Sequence, residues 1–233
     1  MVQTAIPALN FRQAALDLLP EGANFEACLT CGLCTSGCPA SGLENMDPRK
    51  FIRMAMLDMN EELSTTPWIW VCTLCKRCEY VCPMNIDVSK LVFLARSNWP
   101  ADRKPVGIVR SCELTRASDS TSAMGMSKAD FEFVVSDVLE EVRTKQPRFK
   151  HLQAPIDKQG AHFFVNQNSR EPMSEPDEMV PLWKVFDIVG ADWTYASKGW
   201  AAENFCMFTG NEAAWREVIE KRVTAVNDLG CQV

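Results

Sequence analysis

Hydrophobic positions in the first hundred residues recur at a helical period. Residues Phe11 to Leu19 predict a short helix, and residues 48 to 62 predict an amphipathic helix that begins with Asp47 as its N-cap and Pro48 in its first turn. A further helix is predicted by four apolar residues at the same spacing: Val88, Leu91, Val92 and Ala95. The N-terminal part of the chain is therefore expected to be helical.

The middle of the chain passes from turn signals to another helix. Residues 100 to 126 are rich in Pro, Gly, Ser, Thr and Asp, which predicts a linker. Ser127 and Asp130 have the spacing of a capping box and mark a helix start. The buried stripe of this helix is predicted to contain five residues: Phe131, Val134, Val135, Val138 and Val142.

The C-terminal part is predicted to alternate between strand and helix. The predicted elements are, in order, a strand from His162 to Val165, a helix over residues 176 to 189, a strand from Asp192 to Ala196, and a helix from Asn211 to Leu229 capped by Gly230. The last three residues, Cys231-Gln232-Val233, have the pattern of a strand that is beginning. We therefore expect the chain to be a portion of a longer polypeptide.

Eight of the eleven cysteines lie in two runs that each read C-x2-C-x2-C-x3-C-P. Three thiolates at this spacing can hold three corners of a cubane iron–sulfur cluster, while the fourth cysteine of such a run ligates the other cluster. The pattern predicts two [4Fe-4S] clusters, with the two loops side by side. The predicted ligands are Cys28, Cys31, Cys34 and Cys82 for the first cluster, and Cys72, Cys75, Cys78 and Cys38 for the second.

Zinc and disulfide bonds explain the two runs less well than clusters do. Structural zinc sites use paired C-x2-C units and need neither a third cysteine two residues on nor a fourth before proline. Disulfides form in oxidising compartments, and the N-terminus has no signal-peptide pattern. The cysteine content therefore predicts a reducing, cytoplasmic location in which thiolates are available to metal.

Composition and charge exclude several classes of function. The 233 residues are 47% hydrophobic, which is ordinary for a globular protein, and no stretch approaches the ~18 apolar residues of a membrane span. The net charge of −6 argues against nucleic acid as a partner. We find no acid–base pair, nucleophile triad or phosphate loop, and His151 and His162 are isolated. No catalytic residue is predicted.

Four residues inside the runs have candidate roles. Gly32 and Gly37 are expected to let the backbone wrap a cluster and point amides at its sulfurs. Lys76 and Arg77 have three open interpretations: they could raise the potential of the second cluster, dock an acidic partner, or be a solvated charge pair.

The segment from Cys28 to Val88 resembles the C subunit of heterodisulfide reductase and its relatives. The matching features are the two cysteine runs, the helix start Asp47-Pro48-Arg49-Lys50, the approach Trp68-Ile69-Trp70-Val71-Cys72 and the exit Cys82-Pro83. The resemblance implies an alpha-helical ferredoxin domain, shared with the iron–sulfur subunit of succinate dehydrogenase, over about the first hundred residues. It implies a two-cluster wire between a flavin or ferredoxin donor and a catalytic subunit.

The C-terminal half is similar to the start of a cysteine-rich CCG domain, found in the B subunit of heterodisulfide reductase and in the K subunit of the membrane complex that serves dissimilatory sulfite reductase. The matching features are Phe163 to Val165, Val180-Pro181-Leu182-Trp183, and Asn204 to Phe208 leading to Gly210-Asn211. Where that family has two adjacent cysteines, this chain has Cys206 followed by Met207. The residues present therefore cannot build that family's non-cubane cluster.

Three cysteines lie outside the runs: Cys112, Cys206 and Cys231. Each of the three is expected to be a small buried apolar side chain rather than a ligand. Cys206 is the best candidate among them for a function because of its CCG-like surroundings.

These observations predict an α+β chain with three parts. Residues 1–100 form an alpha-helical ferredoxin domain with two [4Fe-4S] clusters, residues 101–150 a linker and a helix, and residues 151–233 a partial α/β CCG-like domain. The predicted function is electron transfer within a multi-subunit, heterodisulfide-reductase-like oxidoreductase, rather than catalysis by this chain alone. The predicted partners are a flavin or iron–sulfur donor and a catalytic subunit.

Two other functions stay open. The chain could be a catalytic disulfide-type reductase subunit whose CCG cluster is completed beyond Val233 or by another chain. It could also be the iron–sulfur subunit of a quinone-linked dehydrogenase, which uses the same helical ferredoxin domain. More cysteines near Cys206 would favour the first alternative, and co-purification with a haem b protein would favour the second.

Overall fold

The computed structural model describes residues 10–19 and 24–232. Of these described residues, those up to Val106, together with Met207–Asn211, form one compact unit. Gly107–Cys206 and the residues from Glu212 onward form a second. The described residues are mostly helical and contain a two-stranded sheet. Among the helices of these residues, none is long and apolar enough to span a bilayer.

The first unit is built from short helices. Its α-helices are α1 (Phe11–Leu18), α2 (Leu33–Gly37), α3 (Pro48–Met56), α4 (Asn60–Thr65), α5 (Arg77–Tyr80) and α6 (Val88–Ser97), with 3-10 turns at Leu43–Asn45, Pro67–Trp70 and Ala101–Arg103. Side chains cap three of these helices, because Asn10, Asp47 and Asp87 accept a hydrogen bond from a backbone amide in the first turn. The caps fix where α1, α3 and α6 begin.

The predicted helix over residues 48 to 62 is wrong in one respect, because the structure divides it into α3 and α4. Asp58 has a φ of 54°, and the Met59 amide bonds back to the Met54 carbonyl at 3.0 Å while the Asp58 amide bonds to Ala55. This is the Schellman pattern that ends helices, with aspartate in the left-handed position where glycine is usual. Apolar periodicity continues across the break and therefore conceals it.

In the described part of the first unit, one apolar core joins the helices. The predicted periodic residues Val88, Leu91, Val92 and Ala95 are all buried, which confirms the buried face of α6. Phe51 of α3 lies at the centre of an aromatic group, with its ring edge-on to Phe11 at 6.4 Å and to Trp68 at 5.5 Å between centroids. The core therefore joins α1, α3, α6 and the turn that precedes the second cysteine run.

The remaining helices begin at the end of the first unit and continue through the second. They are α7 (Val106–Ala117), α8 (Lys128–Lys145), α9 (Arg170–Ser174), α10 (Val180–Val189), α11 (Phe205–Phe208) and α12 (Glu212–Leu229), with 3-10 turns at Pro147–Phe149 and Pro176–Met179. The prediction of a linker over residues 100 to 126 is wrong for α7. Pro105 and Gly107 are turn signals, but they lie at the start of a helix, where the first amides have no intrahelical partner.

Helix α8 forms as the sequence predicts. Ser127 and Asp130 make a complete capping box, and the stripe from Phe131 to Val142 faces the apolar core of the second unit. Phe131 stacks on Trp200 with 4.1 Å between ring centroids. The two residues thus anchor α8 to the loop after the sheet.

The sheet of the second unit has two short parallel strands, β1 (Phe163–Phe164) and β2 (Trp193–Thr194). They lie within the predicted strands, and α9 and α10 connect them as expected for a β-α-β unit. Two residues of each strand are paired, and the neighbouring bridges, such as Gln167 with Ala201, are isolated. The prediction of a strand at the C-terminus is wrong for Cys231 and Gln232, which are irregular, and Val233 lies outside the described residues.

Candidate metal centres

The two cysteine runs share one backbone design. In each run the residue before the second cysteine, Thr30 or Leu74, has a φ of 55°. The residue after that cysteine, Gly32 or Lys76, is also left-handed and begins a short helix, α2 or α5, that carries the third cysteine. Non-glycine residues resist this conformation by about 1–2 kcal/mol. Such strained backbone is typical of binding sites, which directs attention to the thiols that it positions.

Helices α2 and α5 pack against each other, so the two runs lie side by side. Gly37, in the last turn of α2, faces Val81 of the second run, and a Cβ at position 37 would be 3.4 Å from the Val81 side chain. Glycine therefore provides room for close approach at this point. The role predicted for Gly37 towards cluster sulfurs stays a prediction.

The eight cysteines of the runs line two pockets. Those of the first pocket are Cys28, Cys31, Cys34 and Cys82. Those of the second pocket are Cys72, Cys75, Cys78 and Cys38. Each pocket thus receives three cysteines from one run and the fourth from the other, which are the groups that the spacing predicts. That these cysteines ligate clusters stays a prediction.

The pockets suit iron–sulfur clusters in donor type and in lining. Apolar side chains complete both walls, with Ile52 and Ile86 at the first pocket and Met46 and Pro48 at the second, and Val88 lies at both. Sulfur donors in an apolar setting are the usual environment of [4Fe-4S] clusters.

The described residues place no three His, Cys, Asp or Glu side chains closely enough to hold one metal ion. Each thiolate of a cubane cluster binds a different iron, so its ligands need not converge on one point. The tetrahedral ligands of a single zinc ion must converge on the metal. The choice of a cluster over zinc stays a prediction.

Burial controls the acidity of the thiols. Removal from water raises the pKa of Cys34 and Cys72, and it raises the pKa of Cys78 to about 12, with the nearby Cys72 adding to the effect. The exposed Cys75 differs, because a hydrogen bond from the Arg77 amide lowers its pKa. Metal binding at Cys34, Cys72 and Cys78 would therefore displace a proton.

The open question about Lys76 and Arg77 has a partial answer. Lys76 extends towards Asp87, the buried N-cap of α6, with 3.4 Å between its ammonium and the carboxylate, and towards Glu79 at 3.5 Å. The negative charge of Asp87 raises the pKa of Lys76. Lys76 therefore pairs with carboxylates of its own unit, while Arg77 is exposed at the start of α5.

Arg96 is a buried charge that the hydrophobic pattern did not single out. Its side chain is 1% exposed and donates hydrogen bonds to the carbonyls of Ile69 and Cys72, beside the second pocket, and to the carbonyl of Phe208. Burial lowers its pKa to about 10, and Cys72 opposes that change. The sequence did hold a clue to its burial: Arg96 lies four residues after Val92 and therefore on the buried face of α6.

The cysteines outside the runs do not form a third group. Cys112 of α7 and Cys206 of α11 form a buried disulfide, with Ala214 and Val218 of α12 packed around it. Cys231 lies apart, in an apolar cluster with Ala196, Ala225 and Leu229. Cys112 and Cys206 are buried as predicted, but the prediction did not foresee their pairing, because the fold brings residues distant in sequence into covalent contact.

Comparison with known proteins supports the resemblance of the N-terminal part to heterodisulfide reductase C subunits. The 4Fe-4S dicluster domain family matches residues 24–86, a range that contains all eight cysteines of the runs. The C2 subunit of the H(2)/formate:CoB-CoM heterodisulfide,ferredoxin reductase of Methanococcus maripaludis is 34% identical over 144 residues, covering 56% of this chain and 77% of that protein. This chain belongs to the family of heterodisulfide reductase C subunits, which are iron–sulfur proteins.

Other members of this family match a smaller part of the chain. The C subunit of the H(2):CoB-CoM heterodisulfide,ferredoxin reductase of Methanothermobacter marburgensis is 34% identical over 76 residues, which is 33% of this chain and 41% of that protein. A protein of Archaeoglobus profundus that is named as similar to the heterodisulfide reductase C subunit is 34% identical over 71 residues. These residues are 30% of this chain and 37% of that protein. The match thus spans less than half of these two relatives. No solved structure gives a significant match.

Proposed function

We propose that this protein carries electrons through two [4Fe-4S] clusters as a subunit of a multi-subunit oxidoreductase of the heterodisulfide reductase type. The observation that carries the proposal is the division of eight cysteines into two pockets, each with three thiols from one run and one from the other. The names of the relatives support the complex, since each describes a reductase C subunit or a protein like it.

The thiols of the two pockets hold one cluster each in this proposal. The first cluster is ligated by Cys28, Cys31, Cys34 and Cys82, and the second by Cys72, Cys75, Cys78 and Cys38. A bound [4Fe-4S] cluster supplies one-electron redox chemistry, which the protein controls through ligands, burial and hydrogen bonds. The protein's own part is to bind, to exclude water and to set the local charge.

The exposure of the ligands gives each pocket one edge at the surface. Cys31 and Cys75 are the exposed cysteines of the first and second pockets, and the other six are partly buried. We assign electron entry and exit to these two edges. Val88, which lines both pockets, lies on the route between them.

The proposal assigns no catalytic residue to this chain. Substrate chemistry belongs to a catalytic partner subunit, and electrons come from a flavin or iron–sulfur donor. The proposal includes a cytoplasmic location, in which the thiols of the runs stay reduced until metal binds. It keeps electron transfer in residues 1–100 and a CCG-like part in 151–233, while residues 101–150 contain α7 and α8 in place of the predicted linker and single helix.

Neither alternative function gains support from a particular contact. A catalytic CCG cluster would need Cys206 to join further thiols, yet Cys206 is paired with Cys112. A role in a quinone-linked dehydrogenase stays a prediction that no observation in the described residues favours.

A reductive titration tests the proposed relay. The chain is reconstituted anaerobically with iron and sulfide, and electron uptake is counted against a calibrated reductant while the EPR signals are followed. We expect about two electrons per chain, one for each cluster. Uptake of one electron or none by fully loaded protein would overturn the proposal.

A further inference from the structure

We propose that Arg96 raises the reduction potential of the second cluster by placing a buried positive charge beside it. The inference rests on the proposed function, because it requires a cluster in the pocket of Cys72, Cys75, Cys78 and Cys38. It concerns a residue that lies outside both cysteine runs and ligates no metal.

The geometry holds the guanidinium in place at the ligand backbone. Its Nε donates to the Ile69 carbonyl at 3.1 Å, and its terminal nitrogens donate to Ile69, to Cys72 and, at 3.3 Å, to Phe208. The Trp70 ring packs over it, with 5.2 Å from the guanidinium carbon to the ring centroid. Arg96 therefore cannot turn towards solvent without breaking several contacts.

All of these partners are neutral. In the described part of the chain, no carboxylate lies within 4.0 Å of Arg96, although nearly its whole surface is buried. Burying a charge is energetically costly unless an opposite charge lies nearby. The ligand residue Cys72, whose carbonyl Arg96 contacts, can supply that charge as a thiolate. A cluster with four thiolate ligands, which is an anion, completes the charge balance.

The same charge acts differently on the two redox states. Reduction adds one negative charge to an anionic cluster, so a nearby buried cation stabilises the reduced state more than the oxidised state. Of the other charges near the second pocket, Lys76 and Asp87 lie 3.4 Å apart and offset each other, and Arg77 is exposed, so solvent weakens its field. Arg96 is therefore a buried cation without such an offset.

The first pocket has no equivalent among its lining residues. Its basic residue is Arg49, which is 44% exposed and lies 3.7 Å from the Asp47 carboxylate. Solvent and that carboxylate both weaken the field of Arg49. Loss of Arg96 should therefore move the potential of the second cluster and leave the first cluster as an internal reference.

The test is an EPR-monitored redox titration of the complete chain and four variants. Arg96→Gln removes the charge, Arg96→Lys keeps it, and Arg103→Gln removes an exposed arginine from the same unit as a net-charge control. A Cys75→Ser variant identifies the second cluster by its altered signal. We expect Arg96→Gln to make reduction of that cluster at least tenfold less favourable, which is about 59 mV for one electron. Arg96→Lys should keep most of the wild-type potential, and Arg103→Gln should change neither cluster.

Iron content separates a failure of this inference from a failure of the proposed function. Unchanged potentials in an Arg96→Gln protein with full iron content would overturn the inference and leave the relay intact. A wild-type chain that assembles no clusters would overturn the relay itself.

If Arg96→Gln holds its cluster too weakly for a redox titration, the rate of iron loss provides a second measurement. The rate of iron loss from Arg96→Gln should rise on reduction with dithionite, whereas Arg96→Lys should lose iron equally slowly in both states. Equal loss from both variants, whatever the redox state, would give Arg96 a purely structural role and overturn the inference.

Discussion

Gly210 lies against the backbone of Ser97 so closely that a Cβ at position 210 would be 2.5 Å from the Ser97 amide nitrogen. The Ser97 hydroxyl also donates to the Gly210 carbonyl at 2.7 Å. This contact brings the segment Met207–Asn211 onto the end of α6, where the Phe208 carbonyl accepts a hydrogen bond from Arg96. Glycine is required here by both space and conformation, since its φ is 70°.

We predict that Gly210→Ala lowers the free energy of unfolding of the first unit by about 3 kcal/mol or more, because a backbone atom blocks the new methyl group. Gly42→Ala is the matched control, since Gly42 also has a positive φ but has open space around its Cβ position. The control should cost about 1 kcal/mol, from conformation alone. Urea unfolding measures both variants, and equal losses would contradict the close approach at Gly210.

The proposed exchange of ligands between the runs predicts which EPR signals change together. Cys82→Ser should alter the signal that Cys28→Ser alters, because both cysteines line the first pocket. Cys38→Ser should alter the signal that Cys72→Ser alters. If Cys82→Ser and Cys72→Ser changed the same signal instead, each run would ligate its own cluster.

Asp87 should stabilise α6 more through its cap than through its charge. Its carboxylate accepts from the Lys90 amide and the Ser89 hydroxyl, whereas its ionic partner Lys76 is 60% exposed. We predict that Asp87→Ala lowers the free energy of unfolding by about 1–2 kcal/mol, and that Asp87→Asn, which keeps a capping oxygen, costs less. Equal losses in urea unfolding at neutral pH would contradict this ranking.

The ionisation of Asp87 should also make the stability of the protein depend on pH in a defined direction. Burial alone would raise the pKa of Asp87, but hydrogen bonds from Ser89 and Lys90 and the charge of Lys76 bring it below its ordinary value. The charge therefore adds stability above the unfolded-state pKa of about 4, and that stability is lost as the pH falls through the lower folded value. Asp87→Asn should reduce this acid dependence.

The Cys112–Cys206 disulfide should stabilise the oxidised protein. It joins residues 94 positions apart, and removal of such a crosslink typically costs about 2–5 kcal/mol. We predict a loss of this size for Cys112→Ala with no change in iron content, because neither cysteine belongs to the two pockets. Cys231→Ala is the control and should have a small effect. Denaturant unfolding with and without reductant separates the crosslink from the lost side chain.

Local pattern was sufficient to predict much of the first unit. The spacing of the runs predicted the two groups of four cysteines, because three thiols in one short loop require a fourth from elsewhere. The buried face of α6 followed from its period, and the start of α8 followed from the pair Ser127 and Asp130.

Other features depend on contacts between distant residues. Pairing of Cys112 with Cys206 and the hydrogen bond from Arg96 to Phe208 both arise from the tertiary fold, which a single sequence does not display. The break at Asp58 lay within a continuous apolar period, and α7 began among residues that usually make turns. These errors mark where tertiary structure overrides local propensity.

The iron and acid-labile sulfide content of the anaerobically purified chain, with EPR of its reduced form, tests the central claim most directly. We predict about eight irons and about eight sulfides per chain, with the interacting signals of two neighbouring reduced clusters. A chain that binds zinc instead, or that holds about four irons with one isolated signal, would contradict the two-cluster relay.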